Sequence, residues 1–389
     1  MSSVPQQDPY AIPLDDIDVA NPSLYETDSH WPLFERLRNE APVHFCKDSL
    51  FGPYWSVTRY DDIMTVEKDH ETFSSYPTIV IGDQDPNFTV KQFIAVDPPT
   101  HDNQRKAVTP AVSPQSLAQL EPIIRERIAG IMDELPIGEE FDWVDRVSIE
   151  LTTQMLAVLF DFPFEDRRKL TFWSDMATSS EELAGDDSVS SEERQAALME
   201  CLETFTKIWQ ERAQKPPEGK LDFSTLMAHS PSFQKMDPME FLGNLILLIV
   251  GGNDTTRNSI SGGVLMLNEN PSEHQKLNND ISLIPNMVSE IIRYQTPLMH
   301  MRRTATKDVM LGGQHIRKGD KVVMWYVSGN RDSTKIDRPD DFIIDRPSAR
   351  NHVSFGFGIH RCMGNRLAEM QLRLVWEEIV KRFKKIDLL

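Results

Sequence analysis

Cysteine is scarce. The 389 residues hold three, Cys46, Cys201 and Cys362, an odd number with no CxxC pair among them. A disulfide framework and a zinc ribbon are thereby excluded. Positive charge is also short: 41 Lys and Arg face 60 Asp and Glu, a formal charge of −19, and no long basic run occurs. The concentrated cationic surface that nucleic acid requires is missing. The longest purely aliphatic run, Leu245 to Val250, falls well short of the ~18 apolar residues of a membrane span. No Lys or Arg precedes Arg36, and the segment before it has no apolar stretch, so no signal peptide, transit peptide or membrane anchor is expected. These absences point to a reducing, cytoplasmic location.

What is present is an ordinary globular composition, 40% hydrophobic, with ample material for a large core. Helical periodicity dominates. Short strand patterns stand at Tyr54 to Thr58, at Val309 to Leu311 with His315 and Ile316 across the Gly312-Gly313 turn, and at Val322 to Val327 after Lys318-Gly319-Asp320. The expected class is mostly α with small β sheets. Residues 1–30 are polar, contain prolines and read as an extended surface arm; a compact body starts at Trp31. Acidic, Ser-rich 179–193 and the Lys215-Pro-Pro-Glu-Gly219 breaker flank a helix near 196–214 and read as mobile connections. There is no fixed-period repeat, and the chemically suggestive segments run from 97 to 364, which favours one domain over 31–389.

Four constellations carry chemistry. In the first, Phe355-Gly-Phe-Gly-Ile-His-Arg-Cys362-Met-Gly364 precedes a helical pattern, Leu367, Met370, Leu374, Val375. Cys362 at a helix start would have its thiol pKa lowered by free N–H groups and the helix dipole, which favours a thiolate ligand. The second is Glu290-Ile-Ile-Arg293, an i,i+3 pair on a helix ending before Pro297. In the third, Asp237-Pro238-Met239-Glu240 offers an N-cap, a proline at N1 and a capping-box glutamate. A helix over 238–268 follows, interrupted at its centre by Gly251-Gly252-Asn253-Asp254-Thr255-Thr256. Two interior glycines cost ~1 kcal/mol each relative to alanine, so they mark either close helix packing or a groove. The fourth is a scattered cation set: His101 and Arg105 at i,i+4, Arg303, and His360. Each alone would read as solvated surface.

The ten residues from Phe355 to Gly364 resemble the haem-binding loop of the cytochromes P-450: Phe, two residues, Gly, one residue, His or Arg, one residue, Cys, one residue, Gly. The resemblance covers residue 31 to the end and implies haem b (iron protoporphyrin IX) held by Cys362 as thiolate, with Phe355 and Gly364 shaping the loop. It implies that the haem lies between helix 238–268 and the helix after Cys362. His101, Arg105, Arg303 and His360 would contact the propionates, the first introduced by Asp97-Pro-Pro-Thr. Asp341-Phe342-Ile-Ile-Asp-Arg346 resembles the segment that completes a structural Glu290–Arg293–Arg346 triad. Gly251 and Gly252 would open a groove for dioxygen, Thr255 would hydrogen-bond the oxygen species, and Asp254 would gate proton delivery.

The implied activity is monooxygenation, with electrons from a ferredoxin and its NAD(P)H-dependent reductase, since no reductase-sized extension or iron–sulfur cysteine cluster is present. Lys106, Arg361, Arg366 and Arg373 could dock an acidic ferredoxin despite the negative total. Within the family, Gly251–Asn258, Glu290–Arg293 with Gln295-Thr-Pro297, and Met299–Ala305 resemble the bacterial hydroxylases of alkane and fatty-acid terminal methyls. Leu247, Leu248, Val250, Leu298 and Met299 would then line an apolar tunnel for a hydrophobic small molecule, with core packing as the competing role. A peroxide-driven peroxygenase and a non-catalytic gas or ligand sensor are the rivals, both weakened by the Asp254-Thr255 pair. Only Asp387-Leu388-Leu389 follow Phe383-Lys-Lys-Ile386, where the family usually continues into a C-terminal β hairpin, so that hairpin is expected to be missing.

Overall fold

The computed structural model describes residues 8–86, 88–179 and 189–389. The chain opens with α1 (Ser23–Glu26), α2 (Trp31–Glu40), β1 (Val43–Cys46), β2 (Tyr54–Val57), α3 (Tyr60–Lys68) and β3 (Phe73–Ser74). A run of helices follows: α4 (Thr100–Val108), α5 (Pro114–Asp133), α6 (Glu150–Phe160), α7 (Arg168–Thr178), α8 (Ser191–Ala213), α9 (Phe223–His229), α10 (Pro231–Gln234), α11 (Pro238–Glu269), α12 (Pro271–Asn279) and α13 (Ile284–Gln295). Next come β4 (His300–Ala305), β5 (Val309–Leu311), β6 (Gln314–Ile316), β7 (Lys321–Trp325) and α14 (Tyr326–Gly329). A long irregular stretch then leads to α15 (Asn365–Arg382). Among the described residues no strand follows β7.

The strands form a sheet in the order β1-β2-β7-β4-β3 and a separate β5-β6 hairpin. β7 runs parallel to β2 and antiparallel to β4, and four of its five residues are buried, as expected of a strand covered on both faces. Directly opposed residues share a face. One face gathers Val57, Met301 and Met324 with Ile63 and Val66 of α3, and the other gathers Tyr54, Val323 and Trp325 with Phe34 and Leu37 of α2. The larger core lies among α5 to α9, α11 to α13 and α15. α11 and α15 pack together within it, so the long helix and the helix after Cys362 are neighbours.

Residues 8–30 depart from the extended arm expected of them. They contain short helical turns, and Ile17, Val19 and Ala20 are buried against the second sheet face. Two side chains of the body fasten them: Arg36 donates to the Pro9 and Ile12 carbonyls, and His44 Nε2 bonds the Leu14 carbonyl at 2.9 Å. Three further differences have local causes. The strand expected to reach Val327 ends at Trp325 because the chain turns into α14. Asp237 does cap α11 through Met239 N at 2.9 Å, but Glu240 accepts from Gln104 Nε2 at 2.6 Å and closes no capping box. Of the connection expected over 179–193, residues 180–188 lie outside the described ones, and Ser190 with Glu193 forms a capping box for α8.

Candidate functional site

The cysteine loop is built from two glycines in the left-handed region, Gly356 at φ +61° and Gly358 at φ +67°, a conformation that costs other residues dearly. The turn lets Cys362 N donate to Phe355 O at 2.8 Å. Cys362 keeps accessible surface, although it is enclosed deeply enough for burial to dominate its proton affinity. Burial pushes the thiol pKa up; the N–H groups of Gly364 and Asn365 and the charges of Arg105 and Arg361 pull it down. The expected helix-start lowering is thus present but outweighed by desolvation. A coordinating metal deprotonates such a thiol outright.

The cations expected around the propionates converge. The His101 and His360 rings lie 4.4 Å apart, and Arg303, His101, Arg105 and His70 all act on His360, whose pKa burial and these charges lower to about 2. Ser75 Oγ meets His360 Nε2 at 2.8 Å, and Asp97 accepts from Ser75 N at 3.2 Å and from the Ser74 hydroxyl. This explains the Asp97 lead-in. Among the described residues, buried His101 Nε2 and His360 Nδ1 have no hydrogen-bond partner, a costly state that an anionic ligand edge would relieve. Arg105 Nη2 donates to Arg361 O at 2.5 Å, which ties α4 to the loop. A thiol sulfur with accessible surface and unpaired imidazole nitrogens make a donor set that fits haem, its iron on Cys362 and its propionates on His101, Arg105, Arg303 and His360.

On α11, Gly251 is exposed and a Cβ there would meet nothing within 4 Å, whereas one on Gly252 would come within 3.0 Å of Leu156. Only Gly251 therefore opens a groove; Gly252 serves close packing against α6. Thr255 lies one turn on, its hydroxyl donating to Gly251 O at 3.3 Å. Asp254 Oδ1 accepts from Ser174 at 3.4 Å and Asn253 at 3.2 Å, and pairs with Arg257 at 2.9 Å, which also reaches Asp175 at 3.0 Å. Burial raises the Asp254 pKa, Arg257 opposes, and Asp175 adds to the rise.

The apolar positions divide. Leu247 and Val250 are half-buried at the fringe of the large core, while Leu248 is packed inside it at 7% exposure and is withdrawn from the lining. Leu298 and Met299 point to different sheet faces, packing against separate clusters.

Glu290, Arg293 and Arg346 do form one buried assembly. Arg346 Nε lies 3.0 Å from both Glu290 oxygens. Arg293 Nη1 caps Asn330 O at 2.9 Å, and Asn330 in turn binds Val353 N and Ser354 Oγ at 2.8 Å each. The triad therefore reaches the start of the cysteine loop through Asn330. Asn330, Ser75 and Glu67 carry no mark in the sequence, because a polar residue between strands or on a short helix reads as solvated. Among the expected docking cations, Lys106, Arg361 and Arg366 are exposed, but Arg373 is engaged with Glu121 at 2.8 Å and Glu377 at 2.7 Å. Among the described residues no helix is long and apolar enough to cross a membrane.

Comparison with known proteins gives consistent matches. Residues 50–386 match the family described as Cytochrome P450. A solved cytochrome P450-153 from Novosphingobium aromaticivorans is 48% identical, with 94% of this chain and 92% of that one covered and a TM-score of 0.87. Linalool 8-monooxygenase of Pseudomonas putida is 36% identical over 95% of this chain and 93% of its own. A methyl-branched lipid omega-hydroxylase of Mycobacterium bovis is 29% identical over 97% and 91%.

Proposed function

The chain belongs to the cytochrome P450 family and is a haem b monooxygenase, and from that premise we propose that it hydroxylates the terminal methyl of medium-chain alkanes or fatty acids. We further propose that a ferredoxin and its NAD(P)H-dependent reductase supply the electrons. The observation that carries the substrate reading is the groove face of α11. There half-buried Leu247 and Val250 stand beside exposed Gly251, and Thr255 and Asp254 are the polar groups that follow. Such a lining gains ~0.8 kcal/mol per buried CH₂ and needs no polar anchor. The names of the omega-hydroxylase and linalool relatives agree with attack on a lipid-like molecule.

Haem bound through Cys362 supplies the iron that activates dioxygen. The chain's own residues do the rest. His101, Arg105, Arg303 and His360 hold the propionates, and the Glu290–Arg293–Arg346 assembly keeps the loop in place through Asn330. Gly251 leaves room beside the helix, and the Thr255 hydroxyl there delivers a proton to the groove. Asp254, its pKa raised by burial, holds a proton more readily than an exposed carboxylate does and can hand it on. Methyl C–H bonds are stronger than methylene ones, so terminal attack must come from a lining that admits the chain end alone. The test is turnover of octane and dodecanoic acid with NADH, ferredoxin and reductase. The primary alcohol should dominate; mainly subterminal alcohols, or turnover of bulky rings alone, would remove the substrate reading and leave the family intact.

A further inference from the structure

Glu67 stands where three parts of the site meet. It lies on α3, far in sequence from everything it touches, and is 4% exposed. Its Oε2 accepts from Arg303 Nη2 at 2.9 Å. Its Oε1 accepts from the Tyr326 hydroxyl and from Phe357 N at 3.3 Å. The cysteine loop closes directly upon it: a Cβ on Gly356 would lie 2.9 Å from Glu67 Oε1, and one on Gly358 would lie 2.3 Å from the Glu67 carbonyl oxygen. Arg303, 2% exposed, spends its other terminal nitrogen on the Arg302 carbonyl at 2.9 Å. Both ends of the guanidinium fork are therefore fixed, and with them its orientation.

We propose that Glu67 is a positioning residue that aims Arg303 at the haem propionates and sets the charge against which the iron is reduced. This rests on the reading of Arg303 as a propionate contact. A buried charge with both partners in place is rigid, and its field acts through a poorly screening interior. Arg303 and Arg105 bring positive charge to this edge of the site, and Glu67 is the carboxylate directly paired with Arg303. The Glu67 carboxylate offsets one of these positive charges. Removing it leaves more positive potential near the iron, which favours the electron-rich reduced state, so the reduction potential rises.

The experiment combines redox titration of the haem-loaded protein with haem transfer to an excess of apomyoglobin. Glu67→Gln, which keeps the volume and an acceptor for Tyr326, should raise the potential and speed haem loss severalfold. Glu67→Asp keeps the charge but draws it back by one methylene; its potential should stay nearer the parent's while haem loss still quickens, and this arm decides if Glu67→Gln does not fold. Tyr326→Phe, which removes a partner of Glu67 but leaves its charge and Arg303 in place, should keep the potential close to the parent's and lose haem more slowly than Glu67→Gln does. Parent-like values for both Glu67 variants, or a Tyr326→Phe that reproduces Glu67→Gln, would overturn the proposal. An Arg303→Gln variant separates the two levels. Unchanged haem loss there removes the propionate reading and the proposal together; faster loss there with parent-like Glu67 variants removes the proposal alone.

Discussion

Arg293 grips both oxygens of Glu290 from one turn away, Nε to Oε2 and Nη2 to Oε1, each at 2.8 Å, with neither side chain more than 1% exposed. Arg346 Nε binds the same carboxylate, 3.0 Å from each oxygen. Breaking a buried pair by removing one partner costs about 3–5 kcal/mol, because it strands the other charge. Arg293→Ala should lose about that much in denaturant unfolding and retain little haem. A loss under about 1 kcal/mol would contradict a buried, mutually dependent triad.

Thr255→Ala should bind haem and substrate as the parent does while separating NADH consumption from product. A positioned proton donor contributes about 10²–10⁴-fold, and water replaces part of it, so product per NADH should drop on the order of tenfold with peroxide or excess water appearing. An unchanged ratio would remove the hydroxyl from the proton path.

Leu247 and Leu248 are adjacent in sequence but about 100° apart around α11. Leu248→Ala should cost about 2–5 kcal/mol of stability without moving the site of hydroxylation. Leu247→Phe should shift the chain-length preference at little cost in stability. The reverse pattern would show that the lining has been placed on the wrong face.

His300 and His352 are held neutral in the folded chain, with pKa values lowered to about 4 by burial and, for His352, by Arg293 and Arg361. In the unfolded chain both take up protons near pH 6.5. Between these values the unfolded state binds more protons, so stability falls as pH drops from about 6.5 toward 4 and these groups add nothing further below that. The urea midpoint should therefore decline from pH 7 to pH 5. His300 Nε2 has no partner among the described residues, so His300→Phe should keep neutral-pH stability and lessen the decline. An identical decline in the variant would contradict this.

The sequence is informative where chemistry is local. Ten consecutive residues spell the cysteine loop, and an i,i+3 spacing already puts Glu290 and Arg293 on one helix face. It is silent where the fold joins distant segments. Nothing near residue 67 announces that it meets Arg303, Tyr326 and Phe357, and a glutamate on a short helix reads as solvated. Gly251 and Gly252 look equivalent in a string; only the position of Leu156 shows that one opens a groove and the other packs. The residues before Trp31 look too polar to fold, yet Ile17 and Val19 pack beside Phe34, Leu37, Val323 and Trp325, and Arg36 and His44 fasten the segment ahead of them by the carbonyls of Pro9, Ile12 and Leu14.

Cys362 as the haem's thiolate ligand underlies every other role assigned to the site, and the carbon monoxide difference spectrum of the reduced protein is its sharpest test. The parent should give the strongly red-shifted Soret band of a thiolate-ligated adduct. Cys362→Ser should lose that band while other chromophore and fold signals persist; retention of the band in Cys362→Ser would contradict the assignment.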